Sequence, residues 1–124
     1  MKPISLLAIA ATTLALSTPT VLAAPDGIAV NDGVLTAANG MTLYIFDKDE
    51  PGVTNCYEQC AINWPPLIAN EGDMAEGDYT LVERNDGGKQ WAYKGMPLYL
   101  WIKDTNPDDK TGDGVGGVWH LAEE

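Results

Sequence analysis

The chain has 124 residues, 18 of them acidic and only 7 basic, for a formal net charge of −11. A balance this acidic excludes nucleic acid and anionic lipid surfaces as natural partners, because both are bound through positive charge. The length bounds the chain to one domain, and four Trp, five Tyr and one Phe give that domain a core despite its charge and its 13 glycines.

Residues 1–23 read as a leader. Lys2 supplies a positive start, and Leu6 to Leu16 is an apolar run too short to span a bilayer. Val21-Leu22-Ala23 places small residues where a signal peptidase reads, so cleavage is expected before Ala24; a retained anchor is the alternative. The only cysteines are Cys56 and Cys60, so no lipidated cysteine is expected to follow the leader. The exported chain, residues 24–124, loses only Lys2 among its charges, and its net charge moves from −11 to −12.

The expected elements then run in order. Gly27 to Val30 is a strand, Asn31-Asp32-Gly33 a turn, and Val34 to Ala38 a second strand. Asn39-Gly40 is a hairpin signal leading into a third strand, Met41 to Phe46. Around Cys56, Asn55 to Ile62 is long enough for a helical turn or two. Trp64-Pro65-Pro66-Leu67 forces an extended path, because proline blocks helix and restrains the residue before it. Glu71 to Asp78 is an acidic, exposed connector. Strands follow at Tyr79 to Arg84, Lys89 to Tyr93 and Met96 to Ile102, with turns at Asn85 to Gly88 and Lys94-Gly95. Gly112 to Gly117 is a flexible loop before a last strand, Val118 to Leu121.

An internal repeat organises this order. Gly40 to Asp49, GMTLYIFDKD, returns as Gly95 to Asp104, GMPLYLWIKD, an offset of 55 positions that also relates Trp64 to Trp119. Asn31-Asp32-Gly33 returns one residue out of register as Asn85-Asp86-Gly87. The expected fold is all-β: two tandem three-stranded antiparallel meanders, about residues 27–67 and 79–121, packed as one pseudo-symmetric domain with a short helical turn near the cysteines.

Side chains alternate along the third strands. Met41, Leu43 and Ile45 share a face opposite Thr42, Tyr44 and Phe46. Met96, Leu98, Leu100 and Ile102 share one opposite Pro97, Tyr99 and Trp101. One face is aliphatic and the other aromatic. Either both are buried, or the aromatic face forms a groove.

The tyrosine, aromatic and aspartate of Tyr44, Phe46, Asp49 recur as Tyr99, Trp101, Asp104. With Cys56-x-x-x-Cys60-Ala61, Trp64-Pro65-Pro66-Leu67 and Gly117-Val118-Trp119-His120, this pattern resembles the bacterial secreted-repeat family, predicted lipoproteins that carry the motif Tyr-x-aromatic-x-x-Asp in tandem. The resemblance covers nearly all of residues 24–124. It implies an envelope or secreted protein and no established activity. The missing lipidation cysteine departs from the lipoprotein members.

The candidate chemistry divides into four sets. Cys56 and Cys60 are too far apart for a thioredoxin-like pair and lack the histidine of a haem site. Four residues apart in an exported chain, they point to a structural disulfide, with a redox or metal pair as the alternative. Asp104, Asn106, Asp108 and Asp113 place oxygen ligands at spacings reminiscent of a calcium loop. The pattern breaks where Asp109 replaces the turn glycine and Val115 the closing glutamate. Asp47, Asp49 and Glu50 are a poorer version. Met41, Met96 and His120, the single histidine, are soft enough as a set for Cu(I), although strand methionine usually fills a core. Asp49 and Asp104 with Tyr44 and Tyr99 pair acids with phenols, but the commoner role of such aspartates is to cap backbone N–H groups. No nucleophile elbow or phosphate loop is present, and no enzyme is indicated.

The expectation is a non-enzymatic binding module of the periplasm or exterior, contacting an unidentified ligand or envelope protein through Tyr44, Phe46, Tyr99 and Trp101, with Trp64 and Trp119. A calcium- or copper-binding, or redox, accessory protein is the alternative, and a purely structural envelope protein a third reading.

Overall fold

Seven short strands and one helix carry the chain in the computed structural model, which describes residues 24–124. The leader expected at residues 1–23 lies outside the described residues. Strand β1 (Ile28–Asn31) pairs antiparallel with β2 (Val34–Ala37). Strand β3 (Tyr44–Phe46) is followed by α1 (Gln59–Asn63), beside the cysteines. Strands β4 (Tyr79–Glu83), β5 (Lys89–Tyr93) and β6 (Met96–Pro97) form a three-stranded meander. A 3-10 turn, Val115–Gly117, leads into β7 (Trp119–Leu121), which pairs antiparallel with β3. The expected β-dominated fold is what forms.

The third strands are shorter than Met41 to Phe46 and Met96 to Ile102, for a definite reason. Each second-to-third-strand hairpin splays open, and another strand enters its mouth. At the first mouth the Leu35 N–H donates to the Ala122 carbonyl (2.8 Å), the Ala122 N–H to Leu43 (2.9 Å), and the Leu43 N–H back to Leu35 (3.0 Å). At the second, Trp91 donates to Leu67 (2.9 Å), Leu67 to Leu98 (3.0 Å), and Leu98 to Trp91 (2.9 Å). Two cyclic triads thus satisfy backbone groups that a continuous ladder would otherwise pair. The strand filling each mouth belongs to the other repeat: Leu67 closes the Trp91–Leu98 hairpin, and Ala122 closes the Leu35–Leu43 hairpin.

This exchange refines the expected tandem meanders. The second repeat has its full three-stranded sheet, whereas the first has the β1–β2 ladder and a single bridge, Thr36 to Thr42. The Asn-Asp-Gly echo also proves unequal in space. Asp32 and Gly33 alone separate β1 from β2, with Asn31 opposite Val34, while residues 84–88 loop out between Glu83 and Lys89. The longer turn carries Arg84 inward.

The repeats meet where Tyr44 and Tyr99 exchange backbone hydrogen bonds, N–H to carbonyl in both directions (2.8 and 3.0 Å). Two hydrophobic clusters lie on either side of this seam. Ile28, Leu35, Leu43, Tyr79, Trp91 and Leu98 anchor a largely aliphatic one, and Tyr44, Phe46, Cys56, Trp64, Tyr99 and Trp119 an aromatic one. The middle of each third strand, Thr42 to Tyr44 and Pro97 to Tyr99, is therefore buried on both faces, while Ile102 at the end of the second is exposed.

Candidate functional site

Each motif tyrosine reaches across to the motif aspartate of the other repeat. The Tyr44 hydroxyl donates to Asp104 Oδ2, and the Tyr99 hydroxyl to Asp49 Oδ2, both at 2.6 Å. Both tyrosines have no exposed surface, and both aspartates are buried. The local backbone explains the spacing. A two-residue step puts the tyrosine and the aromatic ring on one strand face. The chain then turns, with the Asp49 N–H bonded to the Phe46 carbonyl and the Asp104 N–H to Trp101 (3.0 and 3.1 Å). The second carboxylate oxygen holds the next loop: Asp49 Oδ1 accepts the Asn55 N–H (2.7 Å), and Asp104 Oδ1 accepts the Thr111 N–H (3.1 Å) and hydroxyl (2.5 Å).

Burial shapes the proton chemistry of these groups. It is the largest influence raising both phenols well above the ordinary tyrosine range, and the facing carboxylates raise them further. Burial also pushes Asp49 above the usual carboxylate range, against the opposing pull of the Tyr99 hydroxyl, the Asn55 N–H and Arg84. Behind Tyr99 lies a polar network that sequence reasoning missed. Thr54 Oγ1 hydrogen-bonds the Tyr99 hydroxyl, and buried Arg84 donates to Gln90 Oε1 (2.8 Å) and the Cys56 carbonyl (3.0 Å). Gln90 in turn donates to the Leu98 carbonyl (2.8 Å). Arg84 also grips Asp86 through two bonds of 2.9 Å, and this hydrogen bonding lowers the Asp86 carboxyl below its usual range. The available signal was that Arg84 is the only arginine in an acidic chain.

The aromatic row is an interior column rather than an open groove. Phe46 stacks on Trp119 (4.2 Å between centroids), Trp119 on Trp64 (3.8 Å), and Trp64 on Trp101 (3.9 Å). Tyr44 meets Trp64 edge-on and Tyr99 meets Trp119 likewise, at 5.4 and 5.2 Å. Five of these six rings are buried and Trp101 alone is partly exposed, with the Lys103 ammonium 5.8 Å from its ring centroid. Of the two alternatives for the aromatic face, burial or a groove, burial is the one found.

The metal candidates are dispersed. Asp104 points inward to Tyr44, Asp108 accepts the Asn31 side-chain amide (2.9 Å), and Asp113 accepts the Leu121 N–H (3.4 Å). Asn106 gives its backbone N–H to Asp109 (2.9 Å), whose carboxyl is held low by that bond and by Thr105. The antiparallel seam carries Met41 and Met96 in opposite directions, leaving them about 20 Å apart along the strands. His120 Nε2 lies 2.7 Å from exposed Asp47. Among the described residues, no three His, Cys, Asp or Glu side chains are grouped to hold a metal ion. Cys56 and Cys60 are joined in a disulfide, with their Cα atoms 5.2 Å apart.

Residues 28–68 and 80–123 each match a family described as a secreted repeat of unknown function. The chain belongs to that family. No curated protein and no solved structure matches it. The two matched secreted-repeat segments run through Ile68 and Glu123, so each includes the strand that closes its neighbour's hairpin. The secreted repeat as written is therefore not the unit that folds. Among the described residues, no helix is long and apolar enough to cross a membrane.

The secreted-repeat fold leaves an open cleft of about 420 Å³ beside Ala24 and Pro25. The acidic residues Asp26, Asp73 and Glu76 line it, together with Met74, which is 76% exposed, and the core residue Trp91.

Proposed function

We propose that this protein is a non-enzymatic binding module of the periplasm or exterior, freed by cleavage before Ala24, and that its ligand is a basic peptide segment with apolar side chains. The cleft beside Ala24 is the observation that carries this reading. Its three acidic residues favour cations, and the net charge of −12 on residues 24–124, one positive charge (Lys2) fewer than the −11 of the full chain, extends that preference over long range. Exposed Met74 adds an adaptable apolar contact. The aromatic row contributes rigidity to this reading rather than contact area. The dispersal of Met41, Met96 and His120 gives no comparable support to copper binding.

The test is titration of the protein with a synthetic Lys-Leu peptide, followed by amide chemical shifts. The expected shifts centre on residues 24–26 and 72–76 and weaken with added salt. Asp26→Asn with Glu76→Gln should reduce affinity about tenfold, corresponding to 1.4 kcal/mol. Shifts scattered evenly over the acidic surface would overturn the proposal.

A further inference from the structure

We propose that the aromatic column is a relay for single-electron oxidation, entered at Trp101 and ending on the two clasped tyrosines. The proposal is independent of peptide binding in the cleft. Indole and phenol are the most easily oxidised rings among ordinary side chains, and here they are in contact from surface to interior. Trp101 is the partly exposed end. Trp64 stacks on it at 3.9 Å and Trp119 follows at 3.8 Å, so a positive hole passes between touching rings. Tyr44 branches from Trp64 and Tyr99 from Trp119.

The tyrosine ends make this more than an aromatic core. A buried phenol surrenders an electron readily only if its proton leaves too, and proton transfer needs an acceptor within hydrogen-bond reach. Both phenols have one, Asp104 and Asp49, at 2.6 Å. For Tyr44, electrons and proton move in turn. A one-electron oxidant takes an electron from Trp101 and is itself reduced by one electron. Trp64 refills Trp101, and Tyr44 refills Trp64. The Tyr44 phenolic proton crosses to Asp104 Oδ2, leaving a neutral phenoxyl radical beside a carboxylic acid. The Gly112 N–H, 3.1 Å from the phenolic oxygen, still donates to that oxygen after the proton has gone. The remaining tyrosines stand apart from the column: Tyr57 lies under Arg84, while Tyr79 and Tyr93 pack on each other.

The experiment is laser flash oxidation of the folded protein with a ruthenium tris-bipyridine photo-oxidant and a sacrificial acceptor, read by transient absorption and freeze-quench electron paramagnetic resonance. The wild-type protein should show tryptophan radical decaying into tyrosyl radical, with slower decay in D2O. In the Tyr44→Phe/Tyr99→Phe double variant, shown folded by near-ultraviolet circular dichroism, tyrosyl yield should fall about tenfold while tryptophan radical persists. An undiminished tyrosyl signal in that variant would overturn the relay. So would a wild-type signal confined to tryptophan, or a rate indifferent to D2O; these readings need no variant to fold.

Discussion

Gly112 shows how much one missing side chain matters. Its backbone N–H reaches the Tyr44 hydroxyl, and a Cβ added there would sit 2.8 Å from Trp64, 2.9 Å from Tyr44 and 3.0 Å from Trp101. All three are ring atoms in a packed column and none can swing away. Gly112→Ala should therefore destabilise the fold by about 1–3 kcal/mol, the usual cost of overpacking, measurable as a lower urea midpoint. The clasped tyrosines also set the response to alkali. Their folded pKa values lie above the unfolded value of about 10. Their contribution is complete below that pH. As pH rises beyond it, the unfolded chain releases protons that the native chain still holds, so stability falls. Alkaline titration followed by phenolate absorbance should show Tyr44 and Tyr99 ionising only together with unfolding. A reversible titration of all five tyrosines with native circular dichroism intact would refute it.

Between strands, the two repeats solve one problem in different ways. Asp49 and Asp104 each hold the loop that follows, but the first loop is braced by Cys56–Cys60, while the second uses the Thr111 hydroxyl on Asp104. Thr54, whose hydroxyl touches Tyr99, stands two residues before the disulfide, and the Cys56 carbonyl within it takes Arg84. Its closure is worth about 2 kcal/mol by chain entropy for so short a loop. Cys56→Ala/Cys60→Ala should lose about that much stability and speed amide exchange between Thr54 and Asn63, leaving residues 105–113 unaltered. Equal loosening of both loops would show that the bracing is not local. Much of this bracing is legible in the sequence. The cysteine spacing, the Pro65-Pro66 extension and the glycine turns are local constraints, and local constraints are written in adjacent residues. The length of the third strands was not legible, because the cyclic triads depend on strands more than twenty positions away in the chain.

For the whole molecule, the decisive property is that neither repeat closes itself. The Tyr44–Asp104 and Tyr99–Asp49 clasps, the Tyr44–Tyr99 seam and both triads all join one repeat to the other. A single cut in the exposed connector between Asn70 and Asp78 should therefore leave the halves together. Size-exclusion chromatography of the nicked protein should give one native peak that divides only in denaturant. Two peaks in native buffer would mean that the interlock is weak.

The sequence alone determined that a β unit is repeated, which side chains share a strand face, and that the cysteines suit a disulfide. These properties follow from chemistry and periodicity within a few residues of each position. Tertiary structure alone decided that the aromatic face is interior, that each tyrosine answers the other repeat's aspartate, and that the candidate metal ligands are dispersed. The alternation of Tyr44 and Phe46 is the same whether the opposing surface is water or Trp119. Only the path of the chain through space, which brings the second repeat back across the first, supplies the partner that buries them.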